Sequence, residues 1–160
     1  MEMWFSEFHT PDVKHSIRVN RHLYSRQSEY QRIDIFETPE FGRVLTLDGN
    51  VMLTERDEFI YDEMITHVPM SVHKEAKDIL VIGAGDGGVV RELTRYDRVR
   101  HIDLVEMDPM VVEACRAYLP GNACRLDDRR VHLGRNINAV LLGVTPRRTR
   151  VSSLTDTREA

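Results

Sequence analysis

Ile79-Leu80-Val81-Ile82-Gly83-Ala84-Gly85-Asp86-Gly87-Gly88-Val89-Val90-Arg91-Glu92-Leu93 is the stretch that decides the fold. Its first four residues are an unbroken apolar run, the pattern of a strand buried on both faces of a parallel sheet. Six residues containing four glycines follow at once, and Val89 to Leu93 open a helix. Downstream, His101-Ile102-Asp103-Leu104-Val105-Glu106 reads as a second strand. Asp108-Pro109 then starts a second helix, with aspartate as cap and proline at the first helical position. Strand, glycine turn, helix, strand, helix is the first half of a doubly wound α/β sheet.

Gly83-x-Gly85-x-x-Gly88 lets the chain turn sharply and lets a ligand lie against bare backbone. Glu106 ends the next strand, near the roughly twenty-residue spacing of a carboxylate that accepts ribose hydroxyls. Together they point to an adenosine-type ligand, with a ligand-free tight turn as the bland alternative. Asp86 bears on which ligand. A dinucleotide site presents a helix N-terminus to a pyrophosphate. A carboxylate inside the loop repels phosphate and attracts a sulfonium or an ammonium. The pattern therefore favours a ligand like S-adenosylmethionine over NAD, although a turn-forming aspartate bonded to its own backbone would look the same.

Upstream, the chain up to about Glu55 reads as strands. Ser16 to Asn20 and Arg32 to Glu37 alternate apolar with polar, and Arg43 to Leu47 and Val51 to Thr54 follow turn signals at Pro39-Glu40-Phe41-Gly42 and Asp48-Gly49-Asn50. An antiparallel meander is expected, too small to fold without a partner. A helix is expected after Thr54 as N-cap, with Phe59, Ile60, Met64, Ile65 and Val68 as its apolar positions and Pro69 beyond its end. The acidic group Glu55, Asp57, Glu58, Asp62 and Glu63 either draws in a cation or is a solvated helix face.

The 160 residues are 41% hydrophobic and 30% charged, with a formal charge of −4. This balance fits a globular protein and gives no support to nucleic-acid binding. No run of about 18 apolar residues marks a membrane span, and the first residues do not form a secretory signal. Cys115 and Cys124 lack metal or redox spacing, and the seven histidines are scattered. A cytoplasmic protein without a metal site is expected. From Gly134 onward there are no aromatics, and five arginines face only Asp156 and Glu159. Ile137 to Val144 could form a strand, and the rest reads as disordered. The break suggests a replaced or lost C-terminal part, or simply a flexible tail. The expected organisation is a β domain over 1–55, a partial Rossmann-like, methyltransferase-type nucleoside-binding domain over 56–133, and a divergent tail over 134–160.

Val81 to Glu92, with its Asp-Gly-Gly run, resembles the glycine loop of the spermidine synthase (polyamine aminopropyltransferase) family. Ser28-Glu29-Tyr30-Gln31, Phe41 to Gly49, Asp57 to Met64 with His67-Val68-Pro69, and Asp127 to Val131 are similar to further segments of that family, in the same order. The resemblance covers roughly residues 3 to 133. It implies transfer of the aminopropyl group of decarboxylated S-adenosylmethionine, a co-substrate rather than a cofactor, to putrescine or a similar polyamine, giving spermidine and methylthioadenosine. By the same resemblance, Gly83, Gly85, Asp86, Gly87 and Glu106 hold the nucleoside donor. Gln31 contacts it, Asp86 also binds an amine, and Tyr61 and Asp62 line the polyamine channel. A homodimer or homotetramer formed through the N-terminal strands is also implied.

Two positions depart from the family. Asp62 stands where the family usually has histidine. Gly134-Arg135-Asn136-Ile137-Asn138 replaces an Asp-Gly pair at the adenine, and no Asp-Ser-Thr-Asp-Pro-like stretch with the proton-accepting aspartate follows. No catalytic base is therefore assigned, and impaired turnover is expected. A small-molecule methyltransferase and a non-catalytic binding or oligomerisation fragment are the alternative readings.

Overall fold

A computed structural model of the chain describes residues 2–134 and 149–152. The N-terminal part holds six strands: β1 (Met3–Thr10), β2 (Val13–Val19), β3 (Arg21–Gln27), β4 (Arg32–Thr38), β5 (Gly42–Leu47) and β6 (Asn50–Thr54). β1 and β2 form a separate antiparallel hairpin, and β3-β4-β5-β6 form an antiparallel sheet in chain order. The expected meander is therefore correct, but β1 and β3 were not anticipated. Their side chains are only half-buried at best, so alternation leaves little trace in them. A two-residue Asp48-Gly49 turn with positive φ at both positions joins β5 to β6, as the hairpin twist requires.

Helix α1 (Glu58–Val72) follows, capped at Asp57 rather than Thr54. Thr54 ends β6 and donates its hydroxyl to Oδ1 of Asp57 at 2.6 Å, fixing the cap. Pro69 lies inside α1 rather than beyond it. The last turn is retained because Met70 is 1% exposed in the core. Of the expected apolar positions only Ile65 packs against the core, and the rest of that face is turned outward. Asp62, Thr66 and Met70 are buried, whereas Phe59, Ile60, Met64 and Val68 are exposed.

The second part runs β7 (Asp78–Ile82), α2 (Gly88–Leu93), β8 (His101–Val105), α3 (Pro109–Tyr118), the short α4 (Pro120–Ala123), β9 (Val131–Gly134) and β10 (Thr149–Ser152). Its sheet is parallel, in the order β10-β7-β8-β9. The Rossmann-like α/β expectation is thus met. Residues 149–152, expected to lack structure, pair with the free edge of β7, where unpaired backbone groups invite another strand. The strand expected at Ile137 to Val144 lies outside the described residues. Because β7 has β8 on one side and β10 on the other, the sheet changes direction at β7. Such sheets bind ligands beyond the carboxyl end of that strand.

One core joins the two parts. Ile33, Ile35 and Leu45 pack in the same cluster as Ile79, Val81, Ile102 and Leu104. The Tyr24 and Tyr118 rings lie 5.5 Å apart, and Arg43 donates to the carbonyl of Tyr118. No helix among the described residues is long and apolar enough to cross a membrane.

Candidate functional site

The glycine loop leaves the carboxyl end of β7. Within it Ala84 adopts φ +65°, a left-handed conformation that costs an L residue about 1–2 kcal/mol. Two glycines are required by close approach. A Cβ on Gly85 would lie 2.7 Å from Cγ of Glu106, and one on Gly88 would lie 1.8 Å from Oδ2 of Asp62. Glu106, just past β8, is held by backbone donors. Gly85 N–H donates to its Oε2 at 3.1 Å, and Asp108 N–H to its Oε1 at 2.9 Å. Burial is the main cause that raises the Glu106 carboxyl above the ordinary range, and these backbone donors oppose it.

Asp108 joins the β-strand part to this end of the sheet. Its Oδ1 accepts Met110 N–H at 3.0 Å and caps α3, as anticipated. Its Oδ2 accepts the Ser28 hydroxyl at 2.7 Å and Nε2 of Gln31 at 3.0 Å. Gln31 and Glu106 are thereby linked through Asp108, whose side chain accepts from the first and whose N–H donates to the second.

On the other side of the loop, Oδ1 of Asp86 accepts Gly88 N–H at 2.9 Å. This is the local turn bond considered as the alternative role for Asp86. The surrounding protein desolvates the carboxyl and raises its pKa, with Glu58 adding to the effect. Asp62, on the buried face of α1, is pushed up to about 9, first by burial, then by its hydrogen bond to Glu58 and by the charge of Asp86. Burial thus favours its protonated form, hydrogen-bonded to Glu58. Arg91 binds both Glu58 oxygens at 2.9 Å and stands 3.9 Å from Asp62. Glu58 is held ionised by that pairing although burial opposes it. The Tyr61 hydroxyl is raised by burial and then by Asp62 and Asp86, which places it in the same field.

Contacts thus link Gln31 to Glu106 through Asp108, Glu106 to Gly85, and Asp62 to Gly88 beside Asp86, with the exposed Tyr61 in the field of Asp62 and Asp86. Of the acidic group, Glu58 and Asp62 belong to these contacts. Glu55 instead accepts Arg43 N–H, and Asp57 holds Thr54. Sequence reasoning missed Arg91 and Asp108 as parts of the site. An arginine four residues into a helix after an acidic loop was the available signal for the first, and none existed for the second. Arg91 is divided among Glu58, Glu92 and, at 3.9 Å, Asp62, and at Asp86 the charge of Glu58 outweighs that of Arg91. A surface so short of positive charge suits an ammonium or sulfonium and disfavours phosphate.

Residues 58–142 match the model of the spermine/spermidine synthase domain, and residues 3–55 that of the spermidine synthase tetramerisation domain. The polyamine aminopropyltransferase of Lachnoclostridium phytofermentans is 59% identical over 133 residues, covering 83% of this chain and 47% of the relative. That of Clostridium botulinum is 60% identical over 133 residues, with coverage of 83% and 47%. The crystal structure of spermidine synthase from Thermotoga maritima superposes with a TM-score of 0.83 at 45% identity, over 88% of this chain and 50% of that one. A spermidine synthase in complex with the transition state analogue AdoDATO gives 0.80 at 47%, over 82% and 46%. The chain thus spans about half the length of the relatives it matches.

Proposed function

We propose, because this chain belongs to the spermine/spermidine synthase family, that it carries the donor-binding and amine-binding face of a polyamine aminopropyltransferase. The donor is decarboxylated S-adenosylmethionine and the acceptor putrescine or a similar polyamine. The observation that carries this reading is the carboxyl cluster packed against the glycine loop, with Glu106 on one side and Asp86, Asp62 and Glu58 on the other.

In the transfer, the acceptor nitrogen attacks the methylene carbon beside the sulfonium. The carbon–sulfur bond breaks, methylthioadenosine leaves with the bonding pair, and the new ammonium gives up a proton. The sulfonium departs readily, so the protein's task is alignment of two cations and control of that proton. Gly83 to Gly87 let the nucleoside lie on backbone, and Glu106 accepts the ribose hydroxyls. Gln31, steadied by Asp108, borders the donor. Asp86 holds the ammonium of the aminopropyl group. Tyr61 and Asp62 line the approach of the amine, and an arriving ammonium lowers the Asp62 pKa by supplying the positive charge its surroundings lack.

The organisation into a β domain over 1–55, a nucleoside-binding domain over 56–133 and a separate segment over 134–160 belongs to the same reading. So does homo-oligomer assembly through the N-terminal strands, supported by the tetramerisation-domain match. No position of the chain inherits the family's proton-accepting aspartate, and loss of one positioned base costs about 10²–10⁴-fold. Turnover by these 160 residues is therefore impaired. The test is calorimetric titration with methylthioadenosine, alongside an assay for spermidine made from putrescine. Saturable binding with spermidine formation at least about 100-fold below that of a full-length relative is expected. Absence of methylthioadenosine binding by a folded chain would refute the reading.

A further inference from the structure

A second convergence of ligating side chains lies away from the glycine loop. His101 and Asp103 stand two residues apart on β8, so both project from one face of the sheet. The parallel register sets His132 of β9 directly beside Asp103. The His101 and His132 ring centroids are 4.2 Å apart. Nε2 of His101 lies 2.8 Å from Oδ1 of Asp103. One ligand atom from each of the three residues falls within 4.8 Å of the others. Asp103 is buried, His101 is half-buried and His132 is exposed, so the group opens to solvent on one side.

We propose that His101, Asp103 and His132 form a binding site for a divalent transition-metal ion of the zinc class. Two imidazoles and one carboxylate are a donor set for Zn²⁺, Ni²⁺ or Cu²⁺ rather than for Mg²⁺ or Ca²⁺. Ligand bonds of about 2.0–2.2 Å in a tetrahedral shell need donor atoms about 3.3–3.6 Å apart. The exposed His132 side chain would have to rotate to close the difference. Asp78 of β7 pairs with His101 and adds a carboxylate to that face, which favours a cation. The metal would tie β8 to β9 and leave a coordination position open to water.

The other such group among the described residues, Glu63, His67 and Glu92, is already neutralised. Glu92 bonds both Arg91 and Arg95, and Nδ1 of His67 meets the Tyr96 hydroxyl at 2.7 Å. The simpler account of the first group is a His101–Asp103 ion pair with His132 as a bystander, and it predicts no metal binding. Sequence spacing gave no sign of the site, because His132 is brought to His101 and Asp103 only by the pairing of β8 with β9.

The test titrates Zn²⁺ alone into the full 160-residue chain, free of any histidine tag, by calorimetry. Visible absorption of added Co²⁺ reports coordination. One equivalent is expected to bind the unaltered chain, and His132→Ala, an exposed change that leaves the fold intact, is expected to weaken it about tenfold or more. His9→Ala, which removes one ring of the His9–His15 pair in the β1–β2 hairpin, should leave affinity unchanged. No binding at micromolar Zn²⁺, equal affinity in His132→Ala, or loss in His9→Ala would each overturn the proposal.

Discussion

A methyl group on Gly88 would sit 1.8 Å from Oδ2 of Asp62. The buried carboxyl of α1 rests directly on the bare backbone that opens α2, and this contact joins the proposed amine channel to the donor loop. Gly88→Ala must push Asp62 away or distort the loop. Such overpacking costs about 1–3 kcal/mol. A fall in melting temperature of several degrees is expected, and Asp62→Ala in the same chain should recover part of it, since the two residues touch. Equal melting of Gly88→Ala and the unaltered chain would mean that the contact is not made.

The Asp62 carboxyl has a pH signature of its own. Its folded value, about 9, is above the unfolded value of about 3.9. Between these, the folded chain binds the proton and the unfolded chain does not. The stability it contributes is complete below about pH 4 and is lost as pH rises towards 9. Burial raises Asp86 and Glu106 in the same direction. Asparagine cannot titrate and can still donate to Glu58. Thermal melts from pH 5 to 9 should show Asp62→Asn gaining on the unaltered chain as pH rises, whereas parallel profiles would contradict protonated Asp62.

Glu106 is fixed by Gly85 and Asp108 N–H groups, leaving its remaining lone pairs for two hydroxyls. Hydrogen bonds to a charged acceptor contribute about 1.5–3 kcal/mol. Glu106→Gln puts an NH₂ group where backbone donors point. Methylthioadenosine affinity should fall about 10–100-fold by calorimetry. An unchanged affinity would remove Glu106 from the ribose.

What was legible in the sequence was what is local. The β7 run, the glycine loop, Glu106 at the strand end and the Asp108-Pro109 helix start each depend on neighbours within a few residues. The orientation of α1 was not legible. Ile60, Met64 and Val68 repeat at helical spacing, yet they are exposed, and the inward face carries Asp62, Thr66 and Met70, with Glu58 bound by Arg91, 33 residues on. The Ser28–Asp108 and Gln31–Asp108 bonds span about eighty residues and have no sequence pattern. β1 and β3 escaped because strands without a buried face do not alternate.

If carboxyls around the loop select a cationic donor, as proposed, two ligands test it most directly. Decarboxylated S-adenosylmethionine carries a sulfonium and an ammonium, and methylthioadenosine is its neutral remnant. Calorimetry on the unaltered chain should show tighter binding of the cation. Asp86→Asn should abolish that preference while retaining methylthioadenosine. If Asp86→Asn keeps the preference, or if the unaltered chain binds the two equally, the account is contradicted.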